Sequence, residues 1–265
     1  VKNFKSFKLL FPYPALHFMV STQTLVRTGK AGRAGLTLLL IPKTEAVGVT
    51  RMELGLDGQE TTAYVTFDDV VVPVSHRIGE EGQGFLYTVA NFNHERLLVA
   101  FQALSLCRVC LRETIIWAEK RAAFGRKLIE QPVVRSKLAN LGRTVESLQA
   151  WTEQITYEME VAKVSGETKT LGGVSALLKV TSGRTVKYVA DECQKIFGGA
   201  GMTKTGQGRL VEAITRRAPL LIIPGLQSFI FFLKFPYLLT TLVTGGAEDV
   251  MLDLGAREAL KLSHL

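Results

Sequence analysis

Cysteine, histidine and tryptophan are scarce in this chain of 265 residues, which holds three, four and two of them. An odd number of cysteines builds no disulfide framework and fits a reducing compartment. Cys107 and Cys110 form a C-x-x-C, but no second pair or histidine pair stands at zinc spacing. Both fall inside a helical pattern, three apart on one face, and read as buried thiols. His17, His76, His94 and His264 are scattered, so no metal site is expected. The motifs G-x-x-x-x-G-K-[ST], H-E-x-x-H and G-x-S-x-G are missing, and His94-Glu95 lacks the second histidine of a zincin. A general excess of positive charge is missing too. Of the net +8, residues 1–50 contribute most, with seven basic groups against one acidic, while the remainder holds 25 against 23. Nucleic-acid binders spread cations over a face, interleaved with stacking aromatics. That class is excluded, and anionic small molecules stay open. The longest apolar run, 218–243, carries Lys234 as its one charge but is interrupted by Pro219, Pro224, Gly225 and Pro236. It reads as not spanning a membrane, which takes ~20 mostly apolar residues. Within it Gln227–Leu233 is an aggregation-type window if exposed.

What is present is globular: 47% hydrophobic and 21% charged residues, in a length that divides into one large or two ordinary domains. Residues 1–20 are aromatic and basic without clear periodicity. From 24 to about 75 the signals are strands. Leu36–Ile41 is a short apolar run preceded by three glycines between Gly29 and Gly35, as in a hairpin. Ala63, Val65 and Phe67 alternate with Thr62, Tyr64 and Thr66, a period of two. Asp68-Asp69 turns the chain and Val70–Val74 continues as a strand. Gly79, Gly82 and Gly84 mark a loop. Beyond Phe85 the period becomes helical, over 85–91, 93–121, 132–164 and 168–197, with Pro132 suited to a first helical turn. Three helices of about thirty residues with short breaks predict an antiparallel bundle. Leu97, Leu98, Val99, Phe101, Leu104 and Leu106 cover more than one stripe, so that helix is buried on several sides.

Two clusters carry chemistry. Gly198-Gly199-Ala200-Gly201 would let backbone approach an anion closely, or would simply cap a helix. Asn93-His94-Glu95-Arg96 places a carboxylate and a guanidinium in an otherwise apolar sequence. Glu95 is either a base with a tuned pKa or an acid complementing a helix dipole.

These residues also carry a resemblance. Phe67-Asp68-Asp69-Val70-Val71-Val72-Pro73 with Gly79-Glu80-Glu81-Gly82-Gln83-Gly84-Phe85 comes first. Glu95-Arg96-Leu97 follows, then Arg121-Ala122-Ala123-Phe124-Gly125-Arg126 with Leu128 and Gln131. Ile196-Phe197-Gly198-Gly199-Ala200-Gly201 and Gly245-Gly246-Ala247-Glu248-Asp249-Val250-Met251 complete the series. In this order the motifs resemble the acyl-CoA dehydrogenase family over roughly 24–218 and 245–262. The resemblance implies an α+β, mainly α fold: a partial antiparallel β-domain over 21–80, then an antiparallel four-helix bundle over 81–265. Segment 1–20 and an apolar insertion at about 225–244 are unmatched.

The activity implied is FAD-dependent α,β-desaturation of an acyl-CoA thioester, a glutamate taking the α-proton while hydride passes to the flavin. The family carries its base at one of two positions. Gly245 stands at one and Glu95 at the other, which points to Glu95 as the catalytic base. By the same similarity Asn93 and Arg96 bind substrate. Arg121, Phe124, Gln131, Gly198 and Gly199 bind FAD, the first two across a dimer interface. Departures are Lys195 where relatives often carry glutamine, and Gln131 one residue sooner after Leu128 than in some. The family's N-terminal helical domain and first half of the β-domain, which bear the main flavin-ring contacts, are not represented. With Val1 in first place, a truncated chain is expected. The implied partners are electron-transfer flavoprotein or oxygen as acceptor, and a second copy in a homodimer or homotetramer. Ser263-His264-Leu265 resembles the Ser-Lys-Leu peroxisomal address, with the mitochondrion as the alternative. An acyl-CoA oxidase, or a noncatalytic helical fragment that self-associates, are the competing readings.

Overall fold

The computed structural model describes residues 21–51, 63–165, 171–219 and 246–262. The N-terminal segment 1–20, the apolar stretch at 225–244, Gly245 and the terminal Ser263-His264-Leu265 lie outside them. The described residues form two compact units that divide between Phe92 and Asn93.

In the first unit, β1 (Ser21–Arg27) pairs antiparallel with β2 (Leu36–Pro42), in the register Leu25↔Leu38. The glycine-rich stretch between them makes the expected hairpin. β3 (Val47–Arg51) pairs antiparallel with β4 (Ala63–Phe67), and β5 (Arg77–Ile78) adds to the free edge of β2. Alternate residues Val26, Leu39, Ile41, Val47, Val65 and Phe67 turn into one apolar core, as period two dictates. The predicted strand Val70–Val74 is not formed. Asp69 takes a left-handed backbone (φ 46°), and the segment after it pairs with no strand among the described residues before a short 3-10 turn at Val74–His76. Its alternation survives nonetheless, because Val70 and Val72 still drop into the core. Gly82 N donates to Thr37 Oγ1 at 3.0 Å, tying the glycine loop to β2. At Gly84 a Cβ would sit 2.5 Å from Leu38 N, a backbone approach that needs glycine.

At Gly84 begins α1 (Gly84–Lys120), 37 residues without interruption. The expected break at Asn91–Asn93 is absent. Asparagine disrupts helices by offering its side chain to nearby backbone, but Asn93 Oδ1 is already taken by Arg96 Nη1 at 3.0 Å. After a two-stranded hairpin, β6 (Ala122–Ala123) with β7 (Arg126–Lys127), come α2 (Pro132–Ser165), α3 (Gly172–Phe197), the short α4 (Arg209–Arg217) and α5 (Glu248–Leu262).

Contacts fix the helix directions. Arg96 in the first half of α1 reaches Gly172 at the start of α3, while Trp117 near the end of α1 stacks on Phe197 at the end of α3, so α1 and α3 run parallel. Lys137 at the start of α2 pairs with Glu192 near the end of α3 at 2.6 Å, so α2 runs against both. Glu248 opens α5 beside Arg184, and Glu258 lies beside Gly173, so α5 also opposes α3. The core joins Val99, Ala103, Cys107 and Cys110 of α1 to Leu141, Val145, Leu148 and Ile155 of α2 and to Leu178, Val186 and Val189 of α3. Removing a fully buried leucine here leaves a cavity between helices. We expect Leu148→Ala to cost about 2–5 kcal/mol in denaturant unfolding monitored by circular dichroism.

Candidate active site

The helical unit brings the chemistry-bearing residues together in two places. The first is the turn Asn93–Arg96 of α1. Glu95 and Arg96 are each only 5% exposed, on the stripe that continues through Val99 and Ala100. Arg96 Nη1 donates to Asn93 Oδ1 at 3.0 Å and to the Gly172 carbonyl at 3.3 Å. Burial lowers the Arg96 pKa and the neighbouring Glu95 charge opposes that fall. A guanidinium nonetheless keeps its proton. The site is therefore a carboxylate and a fixed cation side by side, shielded from water.

A third charged group stands close by that sequence reasoning missed. Lys179 is 1% exposed, and its Nζ donates to Gly246 O at 2.8 Å. Burial pulls its pKa down, with Glu248 resisting and Arg96 assisting. One signal was available, a lysine set within the apolar run Ala176–Val180. On a helix buried on several sides, such a lysine has no solvent face to occupy.

The second place is the opposite end of α1. Arg121 lies over the Trp117 ring at 6.0 Å, and that ring stacks on Phe197 with centroids 5.1 Å apart. Phe124 stands 96% exposed on a left-handed backbone (φ 53°) at the tip of the β6–β7 hairpin. Gln131 Nε2 donates to Ala123 O at 3.4 Å and so braces that hairpin. Gly198 ends α3 at φ 62°, its N–H returning to Gln194 O, so the glycine cluster does serve as a helix cap. Gly198 and Gly199 nevertheless have open space where a Cβ would stand, which leaves their backbone approachable.

These two groups do not meet within one chain. Glu95 and Lys120 are separated by 25 residues of one helix, about 38 Å at 1.5 Å per residue. The residues expected to serve the flavin and its substrate are thus carried about 38 Å apart along one helix.

Comparison with known proteins accords with this architecture. A family model described as "Acyl-CoA dehydrogenase, C-terminal domain" matches residues 82–225, more than half of the chain. The acyl-CoA dehydrogenase apdG of Emericella nidulans is 39% identical over 89% of this chain and 50% of its own length. The mitochondrial long-chain specific acyl-CoA dehydrogenase of Rattus norvegicus is 30% identical over 66% and 40%. In fold, butyryl-CoA dehydrogenase of Megasphaera elsdenii superposes with a TM-score of 0.71 at 22% identity, over 90% of this chain and 55% of that one. A strand-bearing unit followed by long helices is thus shared with a class of acyl-CoA oxidoreductases. The chain belongs to the acyl-CoA dehydrogenase family. It spans about half the length of the curated relatives it matches.

Between the two ends of α1 lie three buried thiols, Cys107, Cys110 and Cys193. Burial pushes the Cys107 thiol up to about 12. Cys110 is raised by its hydrogen bond to Cys193 and by burial, while Cys193 is lowered by that bond. All three are sealed from solvent. We expect none to react with a thiol-exchange dye at pH 8 in the native state, and three per chain to react in guanidinium.

Proposed function

We propose that the chain is the substrate-base half of an FAD-dependent acyl-CoA dehydrogenase, with Glu95 as the base that removes the α-proton of an acyl-CoA thioester. The observation that carries this reading is the burial of Glu95 beside Arg96 on an apolar helix stripe. A buried carboxylate is costly, and the water exclusion that raises this cost also strengthens its pull on a weakly acidic C–H. Arg96, anchored on Asn93 and Gly172, orients the carboxylate and offers a positive field to charge developing on the thioester oxygen. Asn93 holds Arg96 in that geometry and lies beside the substrate. FAD, when bound, supplies the acceptor for the two electrons and proton that leave the β-carbon.

The residues at the other end of α1 fit part of that group. Arg121 offers a cation suited to a pyrophosphate, Phe124 a ring already projecting from the fold, and Gly198 and Gly199 an open backbone. Gln131 keeps the hairpin in place. Because the rod sets these residues about 38 Å from Glu95, we assign them to the FAD of a second copy, in a homodimer or a larger even assembly. Electron-transfer flavoprotein is the proposed acceptor.

Visible absorption of the chain supplied with FAD, titrated anaerobically with acyl-CoA, tests the reaction. The flavin band is expected to bleach, and Glu95→Gln to slow bleaching by roughly 10²–10⁴-fold, the ordinary worth of a positioned base. Peroxide formed rapidly on admitting air would identify an oxidase instead. Failure to retain flavin would leave a self-associating helical unit. In the same assay Arg121→Ala is expected to weaken FAD retention while leaving the thermal transition of the chain within a few degrees.

A further inference from the structure

The buried lysine lies outside the chemistry assigned so far. A lysine in the middle of an apolar helix face costs desolvation that a neutral residue would avoid. Its ammonium is spent on a backbone carbonyl, that of Gly246, at 2.8 Å. Gly246 itself sits at φ 102°, and a Cβ added there would come within 2.2 Å of Met251 Cε. Met251 in turn packs on Ala176 and Val180, which flank Lys179 on α3. α3 therefore holds the turn ahead of α5 through Lys179 on its carbonyl, and it packs through Ala176 and Val180 on Met251 of α5, which lies against the α-carbon of Gly246. The same helix begins at Gly172, whose carbonyl takes Arg96. Gly172 and Lys179 are seven residues apart, two helical turns on one face, so Arg96 and the Gly246 turn are referenced to a common rigid segment. Glu248, the first residue of α5, partly balances the added charge.

We propose that Lys179 is a positioning residue for the reaction at Glu95: by holding the Gly246 carbonyl it fixes the turn before α5 at a set offset from Arg96. This rests on the reading of Glu95 as the base. Lys179 also lies close enough to Arg96 for the two charges to act on each other, so the turn it holds borders the Glu95–Arg96 site. Lys179 touches neither substrate nor flavin and acts through backbone.

The test compares Lys179→Met, Lys179→Arg and Gly246→Ala with the parent chain and with Glu95→Gln, using FAD and an acyl-CoA substrate. Two readouts are taken: amide hydrogen exchange over 247–251, and turnover resolved into kcat and KM. Lys179→Met is expected to speed exchange over that segment while the α1 and α2 amides keep their protection. It should lower kcat about 10–100-fold, since a displacement of about 1 Å away from the chemistry has that effect. KM and flavin content should stay near parent values. Lys179→Arg, which keeps a charged donor, should recover most of the loss. Gly246→Ala disturbs the same turn with Lys179 in place and should reproduce the loss; if Lys179→Met does not fold, it decides alone. Unchanged kcat in Lys179→Met or Gly246→Ala overturns the proposal, as does a loss matched by faster exchange throughout the helices. Turnover that survives Glu95→Gln, or is absent from the parent, defeats the reading of the site itself. A defect seen only in the Lys179 and Gly246 variants would then report structure without catalysis.

Discussion

The parallel seam between α1 and α3 is the contact on which the helical unit depends. Its small and apolar residues, Ala100, Ala103, Cys107 and Cys110 facing Val186, Val189, Ala190 and Cys193, are sealed from solvent. Burial of this kind yields roughly 25 cal/mol per Å² of apolar surface removed from water. That gain lets the two ends of the seam tolerate unfavourable features. At one end two cations and a carboxylate are buried together. At the other an arginine and two stacked aromatic rings support a hairpin whose tip has a left-handed phenylalanine. Neither feature favours folding by itself. Both occur where α1 and α3 hold the surrounding backbone from two sides.

The periodicity of the sequence was enough to anticipate the helices beyond Phe85 and the strands at Leu36–Ile41 and Ala63–Phe67. It failed where one local interaction changed the outcome. At Asn93 an asparagine looked like a break, but its side chain is engaged by Arg96 three residues on, which removes the competition with the helix backbone. At Val70–Val74 the composition was that of a strand. Pairing, however, requires a neighbour as well as propensity, and the left-handed Asp69 redirects the chain beforehand.

The candidate site was legible in part for the same reason. Glu95 and Arg96 stand out as charges in an apolar stretch, and burial is their common fate. Gly172, which partners Arg96 from 76 residues further on, accepts through its backbone carbonyl alone, which no side-chain pattern announces. Lys179 was passed over in the sequence, although it stands within the apolar run Ala176–Val180, because its partner is the Gly246 carbonyl, 67 residues further on. The residues assigned to the flavin were recognisable only as motifs, and nothing in their spacing along the chain says that one straight helix keeps them far from Glu95.

That straight helix has a further consequence for how such a chain tolerates change. Each residue inserted into or deleted from α1 would turn everything beyond it by about 100° and shift it by about 1.5 Å. The thiol-lined seam would be thrown out of phase, and Arg121 would point to a different side of the molecule. Substitutions along α1 disturb one contact at a time, whereas a change of length disturbs both ends at once. Between Glu95 and Arg121 the number of residues is accordingly under tighter constraint than most of their identities.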